Sequence, residues 1–235
     1  MAFIINFLDR RSITVKIGNV LSKTQYLKNG VPQGTVIAVT LFLIAINEII
    51  SIIELPAMGM WFADDGAVAC RGKNINTCVE SIQVALNKLQ EWRDVSGFKF
   101  SEAKSEFMVF SRSNKIIRPT LLLGEFQLRQ VAQMKIFGLI FDPKLKWNAH
   151  LKELKSEGKR RMNIIKCLAS TKWGADSEVL INMYKAIIRA KLDYGAIFYN
   201  SANPGLLQLL DTIQTTSLRL AIDGFKSSPT HSILA

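Results

Sequence analysis

The sequence predicts an α+β fold over residues 1–143 followed by an all-helical region over residues 144–235. Two patterns lead there. Up to Pro143 most apolar runs are of strand length and are punctuated by Gly, Asn and Pro, with two long helical segments among them. After Trp147 the hydrophobic period becomes helical and stays so. No internal repeat or low-complexity linker divides the chain.

The elements follow in order. Ile13, Val15 and Ile17 alternate with polar residues from Arg11 to Ile17 and stop at Gly18-Asn19, which predicts a half-buried strand and a turn. A second strand over Gln25 to Lys28 closes a hairpin that leads into Gly30. Thr35 to Ile53 is nearly long enough to span a bilayer, but Asn47 and Glu48 interrupt it, Pro32 and Gly34 precede it, and no Lys or Arg cluster flanks it. It is therefore expected as a helix inside a globular core, not a membrane span.

Residues 57–70 read as strand, turn, strand with Asp64-Asp65-Gly66 at the bend, and the apolar flanks Met58 to Ala63 and Ala67 to Cys70 predict a buried sheet. An amphipathic helix follows, with Ile75, Cys78, Ile82, Ala85, Leu86, Leu89 and Trp92 on one face and Gly97 as its stop. Strands are expected at Phe107 to Ser111, Leu121 to Leu128 and Lys135 to Asp142. Three helices complete the chain, at about Ala149 to Ala169, around Val179 to Ile188, and at Leu206 to Ala221.

Composition narrows the function. The 235 residues are 49% hydrophobic with a mean hydropathy of +0.17, enough for one large or two small cores and incompatible with a disordered chain. The net charge of +11 and pI near 9.7 favour a polyanionic partner. The excess is uneven, +4 over residues 1–143 and +7 over residues 144–235, so phosphate contacts are expected mainly in the second part. Lys152, Lys155, Lys159 and Lys166 form a stripe along one helix there, with few acidic neighbours and with Arg160 and Arg161 adding charge. Cys70, Cys78 and Cys167 suit neither a zinc site nor a disulfide framework, and the two histidines stand too far apart for a triad. Met1 is followed by neither a basic segment nor a cleavage site, so the chain reads as intracellular, in nucleus or cytoplasm, and not secreted.

Two segments carry the chemistry. Gly30-Val31-Pro32-Gln33-Gly34 opens a long apolar segment, where a glycine turn lets a flat ligand approach the backbone. Phe62-Ala63-Asp64-Asp65-Gly66 puts paired carboxylates at a tight turn, an arrangement able to hold divalent metal ions. Asp-Gly is also an ordinary hairpin former, and an isolated acidic pair at a turn is usually just solvated. Here the glycine motif lies just upstream and both flanks are apolar, which favours a site.

The run from Gly30 through Leu41-Phe42 to Ile46-Asn47-Glu48-Ile49, followed by Phe62-Ala63-Asp64-Asp65, resembles the reverse transcriptases of non-LTR retrotransposons, close to the jockey-like elements of insects. Leu89-Gln90-Glu91-Trp92, Gly97 to Ser101 and Lys104-Ser105 resemble the next palm motif of that family. Phe137-Gly138-Leu139-Ile140-Phe141-Asp142, with Lys146-Trp147 and His150, resembles its primer-grip region, and Trp173 to Asp176 and Lys191 to Gly195 its thumb. The resemblance implies a partial polymerase palm over 1–143 and a thumb-like region over 144–235. It implies an RNA-directed DNA polymerase that uses Mg2+, dNTPs, an RNA template and a DNA primer or target.

By the same resemblance Asp64 is the metal ligand with Asp65 assisting, because consecutive strand residues point to opposite faces. Gln33 and Gly34 would underlie the incoming nucleotide and template base, although Pro32 and Gly34 also suit a plain helix start. Lys104 would sit near the triphosphate or is a solvated turn residue. Phe137 and Gly138 would support the primer end, although an aromatic in a strand is more often core.

The sequence also departs from the family. Before Gly30 the only acidic residue is Asp9, in Phe7-Leu8-Asp9-Arg10-Arg11, which reads as the end of a helix and does not resemble the family's first carboxylate motif; Ala38-Val39 stands where many relatives have Ser-Pro. Two expectations follow: a reverse transcriptase palm and thumb segment that is inactive alone, or a non-catalytic nucleic-acid-binding relic of a retrotransposon.

Overall fold

A computed structural model describes residues 2–27, 30–32, 34–115, 117–169, 174–225, 227–230 and 233. In chain order the elements are α1 (Ala2–Leu8), β1 (Ser12–Ile13), β2 (Lys16–Ile17), β3 (Val20–Leu21), β4 (Gln25–Tyr26), α2 (Val36–Ile46), α3 (Ile49–Ile52), β5 (Ala57–Phe62), β6 (Asp65–Cys70) and α4 (Ile75–Ser96). After a 3-10 turn at Glu102–Lys104 come β7 (Glu106–Phe107), β8 (Leu122–Leu123), β9 (Phe126–Gln127), β10 (Arg129–Gln130), β11 (Met134–Ile136) and β12 (Leu139–Phe141). The chain then turns helical: α5 (Asn148–Leu168), α6 (Ser177–Met183), a π-helical stretch Tyr184–Arg189, α7 (Ala190–Asp193), α8 (Ala196–Tyr199) and α9 (Pro204–Ala221). The α+β part and the helical part are both present.

These elements form two compact units, residues 1–103 with 119–127, and residues 104–118 with 128–235. The second unit therefore includes β11 and β12 as well as the helices. Among the described residues the strands make six two-stranded pairs, all antiparallel except β7 with β10.

In the first unit α4 is the organising element. Asn74 caps its start by accepting from the Asn76 amide, and Gly97 stops it at φ +74°, where a side chain would be strained. Its Cys78, Ala85, Leu86 and Leu89 are buried. Gln83 pins the β8–β9 hairpin through two bonds, its Nε2 donating to the Leu122 carbonyl at 2.9 Å and its Oε1 accepting from the Leu122 amide at 2.9 Å. Trp92 stacks on Phe98 with centroids 5.3 Å apart, and Phe42 of α2 meets Phe98 edge-on at 6.0 Å.

Several sequence expectations are corrected in this unit. The strand expected over Arg11 to Ile17 is two short strands, with β1 paired to β4 and β2 to β3, because Thr14 and Val15 turn to side-chain partners in Thr24 and Ser22. Ile13, Val15 and Ile17 are all exposed, so this hairpin has no buried face; Lys28 lies outside the described residues. The Thr35 to Ile53 segment is helical as expected but is not enclosed: only Ala38, Ile46 and Ile49 are buried, while Val36 is 92% exposed. A helix apolar on every side carries no periodicity to say which face a small unit can cover.

The second unit has one contiguous core in which Leu139, Trp147, Leu151, Leu154, Ile165, Tyr184, Ile188 and Ile213 meet. Gly158 of α5 permits close approach of α9, since a Cβ there would come within 3.0 Å of Ile213. The strand expected over Lys135 to Asp142 is a hairpin, β11 turning into β12 at Phe137-Gly138. In the first unit, the strand expected over Leu121 to Leu128 likewise folds back at Gly124-Glu125 as β8 and β9. The expected strand Phe107 to Ser111 is only the end of β7.

Candidate functional site

The β5–β6 hairpin builds the acidic turn. Register pairs Trp61 with Gly66 and Phe62 with Asp65, leaving Ala63-Asp64 as a two-residue loop. Ala63 has φ +52°, a region that costs a residue with a Cβ roughly 1–2 kcal/mol and is found where surroundings enforce it. Trp61 packs beside this loop, in the strand pair that adjoins it. Its indole lies across the two strands, so that a Cβ on Gly66 would come within 2.6 Å of the ring and one on Gly59 within 2.5 Å. Only glycine fits at either place without moving the indole.

Cross-strand partners share a face, so Asp65 stands with Met60, Phe62 and Ala67, opposite the Trp61 face. Both Asp64 and Asp65 are exposed, and among the described residues neither carboxylate has a hydrogen-bonded or ionic partner. The buried sheet expected around this bend is half open: Met58, Met60 and Phe62 are 48%, 54% and 68% exposed. A two-stranded ribbon can cover only one face with α4, and the other stays in water.

Gly34 precedes α2 in the same unit, with φ +90°. Thr35 donates its hydroxyl to the Pro32 carbonyl at 2.9 Å. Gln33 lies outside the described residues, as do Trp173 and His231. Lys104 ends the 3-10 turn, is exposed, and belongs to the second unit.

Phe137 and Gly138 are the two central residues of the β11–β12 turn, with φ of +47° and +79°. Positive φ at both positions suits the right-handed twist of a tight hairpin. Phe137 is 50% exposed, so it is a tip residue rather than the core aromatic that a strand would carry.

On α5, Lys152, Lys159 and Lys166 are exposed and Lys155 is half-buried. None of the four is in an ion pair among the described residues. The acids that could neutralise them are occupied elsewhere: Glu153 pairs with Lys135 at 2.9 Å, and Glu157 with Arg161 at 2.6 Å and Lys191 at 3.4 Å. The Arg161 guanidinium, first among the causes, holds the Glu157 carboxyl below its usual range. Arg161 itself is corrected from the basic face: it turns inward and donates to the Ile187 carbonyl at 2.7 Å within the π-helical stretch.

Sequence reasoning passed over Asp142 as a structural residue. One of its carboxylate oxygens accepts from the amides of Lys144 and Lys146 at 3.1 Å, and the other from Trp147 at 2.7 Å, which folds the Pro143 to Trp147 loop and starts α5. The signal was an Asp-Pro pair just before a helix, a turn former of known type. His150 has a structural place as well. It is buried, its Nδ1 accepts from the Ile140 amide at 3.4 Å, and burial is the main cause that lowers its pKa.

The acidic turn and the glycine turn heading an apolar helix lie in one unit, and the basic helix without acidic partners lies in the other. A sequence model of the family "Reverse transcriptase (RNA-dependent DNA polymerase)" matches residues 2–141, more than half of the chain, and the chain belongs to that family. It is 23% identical over 91% of its length to the RNA-directed DNA polymerase from mobile element jockey of Drosophila melanogaster, and equally so to that of Drosophila funebris. The probable RNA-directed DNA polymerase from transposon X-element of Drosophila melanogaster is 21% identical over 92% of the chain. The chain spans about a quarter (24%) of the length of these curated relatives. No solved structure matches it significantly. Among the described residues no helix is long and apolar enough to cross a membrane.

Proposed function

We propose that this chain is the later palm (to residue 143) and the thumb-like region (144–235) of an RNA-directed DNA polymerase of a non-LTR retrotransposon, which extends a DNA primer with dNTPs on an RNA template. The observation that carries the reading is the Asp64-Asp65 pair: two carboxylates without partners among the described residues, on a turn strained at Ala63. Carboxylates that no basic side chain engages are free to take a divalent cation, and the glycine turn ahead of α2 lies in the same unit, which supports the reading. In this reading Gln33 and Gly34 lie under the nucleotide and template base, Lys104 near the triphosphate, and Phe137 and Gly138 at the primer end. Lys152, Lys155, Lys159 and Lys166 track the phosphate backbone.

Magnesium is the metal the family implies, and the donors here fit it only in part. The pair offers hard oxygen ligands, but among the described residues no group of three acidic, His or Cys side chains converges. Magnesium demands near-octahedral geometry, so two carboxylates from one hairpin are one side of a site and not a whole one.

The 235-residue chain by itself is expected to give no primer extension with Mg2+ and dNTPs. Replacing the matching stretch of the jockey polymerase with this chain should give extension. Failure of that chimera, when it folds and binds primer-template, would favour the second reading, a non-catalytic nucleic-acid-binding relic, for which the unneutralised stripe on α5 speaks.

A further inference from the structure

The Phe137-Gly138 turn is held from outside its own hairpin. The Tyr194 hydroxyl, which follows α7, donates to the Phe137 carbonyl at 2.7 Å across 57 residues of sequence. The next residue, Gly195, lies against the strand that leaves the turn, since a Cβ on it would come within 2.5 Å of the Leu139 side chain. Gly195 has φ +75°, so the chain must bend there just as it reaches the hairpin.

Tyr194 is itself guided. The Lys191 ammonium lies 6.0 Å from its ring centroid and also reaches Glu157 at 3.4 Å. Glu157 in turn holds Arg161, which donates to the Ile187 carbonyl in the π-helical stretch. Tyr194 is 52% exposed, so burial does not oblige its hydroxyl to find a protein partner; water is available. Its bond is specific to one carbonyl, in a turn where Phe137 holds a left-handed conformation that a side chain rarely adopts.

We propose that Tyr194 is a positioning residue: its hydroxyl, backed by Gly195, fixes the Phe137-Gly138 turn in the shape that presents it to a primer 3′ end, so that the helical region sets the primer grip. This rests on the reading of Phe137 and Gly138 given above. Atoms far from the turn thereby reach it, because Lys191, Glu157 and Arg161 link Tyr194 to the helix that carries the lysine stripe.

The test is Tyr194→Phe in the 235-residue chain, which removes one oxygen and keeps the ring. Hydrogen exchange should quicken about 5- to 10-fold at the amides of residues 136–141, the scale of one lost hydrogen bond, and stay unchanged across α5 and α9. In parallel, the preference for a recessed 3′ end over a blunt duplex, read by fluorescence anisotropy, should fall several-fold while blunt-duplex affinity holds. Gly195→Ala should raise the same exchange by displacing Leu139. Unchanged exchange at 136–141 in Tyr194→Phe would overturn the proposal, as would a general rise over the whole unit or a recessed-end preference that survives a loosened turn. If the unaltered chain shows no recessed-end preference, the primer-grip reading fails, and localised exchange would still support Tyr194 as what holds the turn.

Discussion

The two units solve burial differently. The helices of the second unit are amphipathic and cover one another, so Leu151, Ile165 and Ile188 are wholly enclosed. The first unit has one well-covered helix, α4, and around it segments apolar on more than one side: Val36, Val39 and Ile44 on α2, Met60 and Phe62 on β5, and Ile17 and Val20 beside the Gly18 turn are all exposed. Amphipathic periodicity lets a unit close on itself, whereas continuous apolarity requires neighbours on several faces. The acidic turn lies on the less covered unit, the basic helix on the self-sufficient one.

The comparison breaks most readily in the second unit's core. Leu151→Ala should cost about 3 kcal/mol or more, because a wholly buried leucine leaves a cavity, and should speed exchange in α5 and α9 while leaving α4 unaffected. An equal effect on α4 would mean the units are one cooperative body.

Next in size is the charge on α5. Replacing Lys152, Lys155, Lys159 and Lys166 together by Glu should weaken RNA or DNA binding by about 100-fold or more at moderate salt and flatten the salt dependence. Retained affinity would make the stripe an ordinary solvated face.

In the first unit, Gly66→Ala should cost about 1–3 kcal/mol, since the new methyl would displace the Trp61 indole from the ribbon. Thermal unfolding followed by tryptophan fluorescence measures it, and no change would show that Trp61 does not brace the acidic turn.

The smallest effect is a pH dependence of the second unit. Burial lowers the His150 pKa below 6.5, Glu153 opposes this, and Lys191 and Lys135 reinforce it. The folded state therefore prefers neutral imidazole, and its stability, full above about pH 6.5, should decline as pH falls below that value. Glu157, whose pKa is also lowered, adds a loss in a separate window below 4.5. His150→Gln should remove the upper part of the slope and leave the lower.

The sequence was legible where pattern and geometry agree. Helix α4 stops at Gly97 as its cap chemistry requires, and Asp64-Asp65 stands at a hairpin bend because its apolar flanks have strand length. It was opaque where one residue type serves two conformations. Phe137 reads as strand core by propensity, yet a tight turn gives it positive φ and half exposure. Arg161 counted as surface charge, yet it turns inward to the Ile187 carbonyl of a π-helical stretch, a partner 26 residues away. The Tyr194 bond spans 57 residues, a distance over which no local pattern speaks.

The central claim is that the Asp64-Asp65 turn is a reaction centre and not a nucleic-acid contact. It is tested most directly by Asp64→Asn in the jockey chimera, with single-nucleotide extension and primer-template affinity measured on the same preparation. Extension should fall by at least about 1000-fold, since losing a carboxylate that would hold the metal ion forfeits several kcal/mol of transition-state stabilisation. Affinity should stay within about twofold. Extension that survives the change, or affinity that falls in step with it, would contradict the account.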